Sequence, residues 1–180
     1  MQKQLTIAIL ILASVFYMYA QDTTAAHSKG RTAMTNENIF RKIIQVGFSK
    51  GDLTIFDTAL SQDFVEHQYG HVPPNIEGVK IAVSHLHTAF PDFSLTIEDM
   101  ASTDDKVWVR LTGRGTHTGP FGPLPPSGKI LQPTGKAFVI TIIDIGRFKD
   151  GKLVEHWGVP DRTALMDQLF SKPSPEVIEK

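Results

Sequence analysis

The sequence predicts an α+β domain in which a curved antiparallel sheet of four to six strands wraps around N-terminal helices, forming a cone with an internal pocket. Three observations predict it. Apolar residues recur at helical spacing up to Phe90, they alternate with polar ones from Phe93 onward, and Asp150-Gly151 sits between two alternating runs as a two-residue hairpin turn. Helices followed by strands leave one sheet face to be covered by the helices. A curved sheet covered in this way encloses a natural small-molecule site.

The elements follow in order. Lys3 precedes LTIAILILASVFYMYA (Leu5 to Ala20), an uncharged apolar run shorter than the roughly 20 residues of a spanning helix. A basic start, an apolar centre and the small Ala20 read as a signal peptide over residues 1–20, which predicts an exported protein, periplasmic or secreted. Residues 21–34 are small and polar and read as a flexible leader. The domain is expected over 35–171, with a tail over 172–180. Thr35 is placed to cap a helix carrying Ile39, Phe40, Ile43, Ile44 and Phe48 on one stripe. Asp52 can cap a second short helix, LTIFDTAL, and SQDFVEHQ reads as a short strand. A third helix carries Ile76, Val79, Val83, Leu86 and Phe90 on one face, and Pro91 ends it. FSLTIEDMAS and KVWVRLTGRGTH alternate as strands around Asp104-Asp105. Residues 118–136 are dense in Gly and Pro and read as a loop with a short extended piece. KAFVITIIDIGRFKDGKLVEHWG is the hairpin, and Asp161 caps a closing helix.

Composition narrows the function classes. The chain has 180 residues, a net charge of −1 and no cysteine. Disulfides, thiolate metal sites and thiol nucleophiles are excluded. The charge balance does not suggest a nucleic-acid or anionic-membrane partner.

The hairpin supplies the first candidate chemistry. With Asp150-Gly151 as its turn and unbroken pairing, Asp144 faces Trp157, and Phe138, Ile140, Ile142, Asp144, Phe148, Leu153, Glu155 and Trp157 share one face. Asp144 then interrupts an apolar stripe beside an indole, where desolvation should raise its pKa and suit it to acid/base work. A structural Asp held by a Tyr, an Arg or a backbone amide is the alternative. His156 falls on the opposite face, as a core or interface residue or a ligand contact. His117, in GTHTG, reads as a pocket-mouth residue or a loop brace, and Phe121 and Leu124 as part of a lid.

Other patterns carry less. Gly47-Phe-Ser-Lys-Gly51 matches the nucleophile-elbow spacing, but a helix precedes it where a strand is required. Gly113-x-Gly115 lacks the third glycine of a dinucleotide loop. His85 and His87 are two apart on a helix and point to different sides, so no metal site is expected.

Several stretches together resemble the SnoaL-like polyketide (ester) cyclase family, of the nuclear-transport-factor-2-like fold. They are DFVEH (63–67), AFPDFSL (89–95), GRGTHTGPFGPLPPSGK (113–129) and FKDGKLVEHWGVPD (148–161), in matching order and spacing from about Thr35 to Phe170. The resemblance implies the conical fold, a cofactor-free pocket and assembly as a homodimer or larger homo-oligomer. The family chemistry is intramolecular aldol closure, in which one group removes a proton next to a carbonyl and returns one to the new alkoxide. The resemblance places the family's acid/base Asp where this chain has Gly158, a helping His at Asp144, and an Asn at Glu66. Of Glu66 and His67, which alternate, it favours Glu66 as the one facing the cavity.

The function expected is therefore that of an exported, cofactor-independent acid/base enzyme of cyclase, isomerase, lyase or hydrolase type. Its partner would be a small apolar or carbonyl-containing molecule. Asp144 would be the acid/base, assisted by Glu66 or His117, with Trp157, Trp108, Phe121, His156 and Glu155 as substrate-binding candidates. The alternative is a non-catalytic binding protein of the same fold, with Gly158 marking lost catalysis.

Overall fold

The computed structural model describes residues 30, 33–68, 72–124 and 128–170. The expected signal peptide, most of the leader and the tail over 172–180 lie outside the described residues. Helix α1 runs over 33–42 and continues into a π-helical turn, Ile43–Phe48. Then come α2 (Thr54–Ala59), β1 (Leu60–Glu66), α3 (Ile76–Ala89), β2 (Ser94–Thr103), β3 (Lys106–Thr116), β4 (Phe121–Leu124), β5 (Lys129–Leu131), β6 (Ala137–Lys149), β7 (Lys152–Pro160) and α4 (Arg162–Phe170).

Local chemistry accounts for most of these boundaries. Asn75 starts α3 by accepting a 3.1 Å hydrogen bond from the Gly78 N–H, Asp161 starts α4 by accepting from Ala164 N–H, and Asp52 accepts from Thr54 N–H ahead of α2. Asp150 and Gly151 both have positive φ, as the tight turn between β6 and β7 requires. Thr35 is not the cap of α1, because residues 33 and 34 are already helical. Ala33 and Met34 are good helix formers, and their intrinsic preference carries the helix past the polar Thr35.

Five strands form one open curved sheet in the order β1-β7-β6-β3-β2, and β4 pairs with β5 in a separate ribbon. The sheet is antiparallel except at one edge, where β1 runs parallel to β7. The inner face carries Val107, Val109 and Leu111 of β3 and Phe138, Ile140 and Ile142 of β6, all buried. Helix residues Phe40, Ile43, Ile44, Phe56, Val79 and Val83 fill the concavity. Each such side chain contributes roughly 1.5–3 kcal/mol by leaving water. Gly47 belongs to this packing, since a Cβ there would fall 2.7 Å from the Phe56 ring, and Ser49 Oγ accepts a hydrogen bond from Leu95 N–H. The Gly47–Gly51 stretch is thus a packing joint between α1, α2 and β2.

The hairpin departs from unbroken pairing. Lys149 pairs with Lys152 and Phe148 with Leu153, but Arg147 then pairs with Glu155, leaving Val154 as an extra residue in β7. Leu153 and Val154 are both buried. This bulge reverses the facing of everything beyond it. Glu155 and Trp157 turn outward, His156 turns inward, and Asp144 faces Gly158 rather than Trp157. The expected sharing of one face by Asp144, Glu155 and Trp157 is therefore corrected. The exchange suits the side chains: Glu155 meets Arg147 Nε at 2.5 Å near the surface, while His156 enters a site lined by carboxylates.

Candidate active site

A cavity of about 490 Å³ opens between α3, α4 and the inner face of β6, with β4 along one side. Its volume lies within the usual range for small-molecule sites. Most of its wall is apolar: Val83, Leu86, Phe90, Phe93, Phe138, Ile140, Ile142 and Leu165 contribute, and Phe121 closes against Phe90 at 5.0 Å between ring centroids. Among the described residues, the polar ones that line it are Gln68, His85, Asp144, His156 and Arg162.

Asp144 and His156 join Glu66 in a buried row. His156 Nδ1 lies 2.8 Å from Glu66 Oε2, and Nε2 lies 3.6 Å from Asp144 Oδ2, an ion-pair separation. Topology makes the row. Parallel pairing sets Glu66 of β1 beside His156 of β7, and the bulge turns His156 toward Asp144 of β6. Glu66 Oε1 accepts a hydrogen bond from Gln68 N–H at 2.8 Å, so both oxygens of Glu66 are held. Burial by itself would push the His156 imidazolium down. The two carboxylates, Asp144 more than Glu66, outweigh that and hold its pKa up at about 10. His156 is thus a cation at neutral pH, wedged between two acidic side chains.

Among the described residues, Asp144 Oδ1 is buried with no hydrogen-bond partner. A Cβ built on Gly158 would fall 2.3 Å from Gln68 Oε1 and 2.6 Å from Asp144 Oδ1. Gln68 and Asp144 therefore converge on the space that a side chain at 158 would need. The acid that the resemblance places at 158 is absent there, but its directly opposite partner on β6 carries a carboxyl into the same space.

The remaining candidates are placed as follows. Phe121 lines the cavity. His117 is fully buried but is not part of the cavity wall; its ring lies 5.5 Å from Phe90. His117 Nδ1 accepts from Thr134 N–H, and its backbone bonds Gly135 and Lys136, so it braces the stretch leading into β6. Burial lowers the His117 pKa, with the Gly119 backbone offsetting this only in part. Among the described residues its Nε2 has no hydrogen-bond partner. Trp108, Trp157 and Glu155 lie on the outer side of the sheet, away from the cavity. Trp157 stacks on His67 at 4.7 Å, and Trp108 is 44% exposed. The indoles thus do not shape the cavity, because β3 alternation and the β7 bulge both send them outward. Sequence reasoning missed Gln68, His85 and Arg162. Only the third had a local signal, as a cation in the first turn of a helix, where the dipole disfavours it. Among the described residues, no group of three or more His, Asp or Glu is arranged to hold a metal ion. Glu66 and Asp144 sit on different nitrogens of one ring and do not converge on a point.

Comparison with known proteins agrees with this architecture. The family model for SnoaL-like polyketide cyclase matches residues 38–169. No curated protein matches. Among solved structures, the chain is similar to IdmH, a candidate polyketide cyclase from Streptomyces antibioticus. That match has 29% identity over 74% of this chain and 97% of IdmH, with a TM-score of 0.62. AclR, a candidate hydroxylase from Streptomyces galilaeus, matches at 27% identity over 79% of this chain and 86% of its own, with a TM-score of 0.63. A candidate polyketide cyclase from Bacillus cereus matches at 25% identity over 75% and 80% respectively, with a TM-score of 0.63.

Proposed function

Since the chain belongs to the SnoaL-like polyketide cyclase family, we propose that it is a cofactor-independent acid/base enzyme of cyclase, isomerase, lyase or hydrolase type. It acts on a small apolar, carbonyl-containing molecule held in the cavity. The observation that carries this reading is Asp144, which lines the cavity with Oδ2 beside a cationic His156 and with Oδ1 buried and, among the described residues, without a hydrogen-bond partner. Leaving a buried acceptor unsatisfied costs about 1–3 kcal/mol. A protein that only holds an apolar molecule gains nothing from that cost, which weighs against the binding-protein alternative.

In an aldol-type closure, Asp144 Oδ1 takes a proton from carbon next to a carbonyl. The electron pair left behind forms a bond to a second carbonyl carbon, and the new alkoxide takes the proton back from Asp144. Nothing else is consumed. Gln68 borders the same space with Oε1, and with its amide turned over its Nε2–H2 donates a hydrogen bond to the enolate oxygen. His156 and Glu66 are positioning residues: they hold the Asp144 carboxyl so that its free oxygen faces the substrate. The apolar walls fold the substrate so that its ends meet, which removes much of the entropic part of the barrier.

The test uses methyl esters of the polyketide type that carry an acidic carbon between two carbonyls, with product formation followed by NMR. Asp144→Asn should lower turnover by roughly 10²–10⁴-fold. Turnover equal to that of the unaltered protein would exclude Asp144 as the base.

Export belongs to the same proposal. Protein recovered from outside the cytoplasm should begin at Gln21, and an N-terminus retaining residues 1–20 would refute it. A second copy is the proposed partner of the outer sheet face. There Trp108, Val139, Ile143 and Val159 are each more than 40% exposed, and Ile143 and Val159 pair directly across β6 and β7. Exposed apolar residues grouped in this way characterise interaction surfaces.

A further inference from the structure

We infer that the cavity selects a substrate with an anionic group at one end, held by Arg162, and its reacting carbon at the other, against Asp144. This rests on the proposed reading of the cavity as the small-molecule site.

The cavity is electrically polar along its length. Its buried end is lined by Asp144 and His156, with the Glu66 carboxylate behind His156. Arg162 lines the same cavity but is exposed, so it sits where the cavity meets solvent. Among the described residues its guanidinium has no ion pair or hydrogen bond, although Asp161 and Asp167 lie close by in sequence. Asp161 is occupied in capping α4. Arg162 also gains nothing from its place in the first turn of α4, because the helix dipole favours anions there. An arginine at the rim of a cavity, unpaired among the described residues and locally disfavoured, suits recognition of a carboxylate or similar anion.

The spacing suits one elongated ligand. Asp144 faces Gly158 and Ile142 faces Pro160, so Asp144 and Pro160 are separated by roughly 7 Å along the strands. Arg162 opens α4 two residues beyond Pro160, and Ile140, Ile142 and Leu165 line the cavity with them. His85, on α3, adds a polar group at the exposed part of the lining. An anionic end is drawn to Arg162 and repelled from the acidic row. That fixes which end of the molecule reaches Asp144.

Two fluorescent probes of similar aromatic body test this directly: 1-anilinonaphthalene-8-sulfonate, which is anionic, and N-phenyl-1-naphthylamine, which is neutral. Titrated into the unaltered protein at low ionic strength, the sulfonate should bind about fivefold or more tightly than the neutral amine. Arg162→Gln should bring that ratio to about one while changing the affinity for the neutral probe less than twofold. Arg162→Lys should keep most of the preference. A ratio near one in the unaltered protein, a ratio that survives Arg162→Gln, or equal loss of both probes would overturn the inference. Asp144→Asn, which removes the proposed base, should leave the ratio at or above its original value. Failure of the acid/base reading and failure of this one are therefore seen in different measurements.

Discussion

Raising the pH from 7 toward 10 should destabilise the folded protein through His156, and replacing His156 should remove that dependence. The imidazolium is buried between Glu66, at 2.8 Å, and Asp144, at 3.6 Å, and its pKa is held at about 10 against an ordinary 6.5. Between those two values the folded state keeps a proton that the unfolded state has released. The contribution to stability is therefore complete below about pH 6.5 and disappears as the pH rises through about 10. At 1.36 kcal/mol for each pKa unit, the whole contribution has an upper limit of about 5 kcal/mol, lost at about 1.4 kcal/mol per pH unit within the window. Urea unfolding at pH 6, 7, 8, 9 and 10 measures this for the unaltered protein and for His156→Gln. The difference between the two should shrink steadily with pH. Should His156→Gln fail to fold, because its two carboxylates are left without a cation at a cost of about 3–5 kcal/mol, Glu66→Gln replaces it. That variant removes one carboxylate from the imidazolium and should shorten the window at its alkaline end. A difference that stays constant from pH 6 to 10 would show that His156 is not a buried cation, and the account of the row would be wrong.

Two further outcomes are expected. Deleting Val154 removes the one extra residue of β7 while leaving Arg147 opposite Glu155 and Asp144 opposite Gly158, so His156 stays inward; the variant should still unfold cooperatively when heated and followed by circular dichroism, and loss of cooperative unfolding would refute the reading of Val154 as the bulged residue. Ile143→Glu, at a position 42% exposed on the outer sheet face, should convert a homo-oligomer to a folded monomer in light scattering; an unaltered protein that is already monomeric would exclude this face as the assembly surface.

Much of the architecture was legible in order along the chain. The stripe of Val79 and Val83, the alternation of Val107, Val109 and Leu111, and the Asp150-Gly151 turn are local patterns, and the elements they predict are present. The matched stretches, such as DFVEH and FKDGKLVEHWGVPD, pointed to a family whose model covers residues 38–169. Asp144 could be singled out because a carboxyl among Ile140, Ile142 and Phe148 is chemically conspicuous in a strand. The parallel placement of β1 beside β7 was not legible, since nothing in SQDFVEH specifies the direction of its neighbour.

The site itself depended on distances that no local pattern encodes. Whether Val154 pairs or bulges out decides whether Trp157 or His156 faces the cavity, and a two-residue period does not say which. Glu66 and His156 are 90 positions apart in sequence and 2.8 Å apart in space. Gln68 and Arg162 border the cavity because of the paths taken by the chain after β1 and after β7. The sequence by itself determined the elements, the covered face of the sheet and the presence of a buried acid, because those follow from periodicity and hydrophobic burial within short windows. Only the tertiary structure decided which groups accompany that acid, because their pairing rests on register and strand order, which are set by packing over the whole sheet.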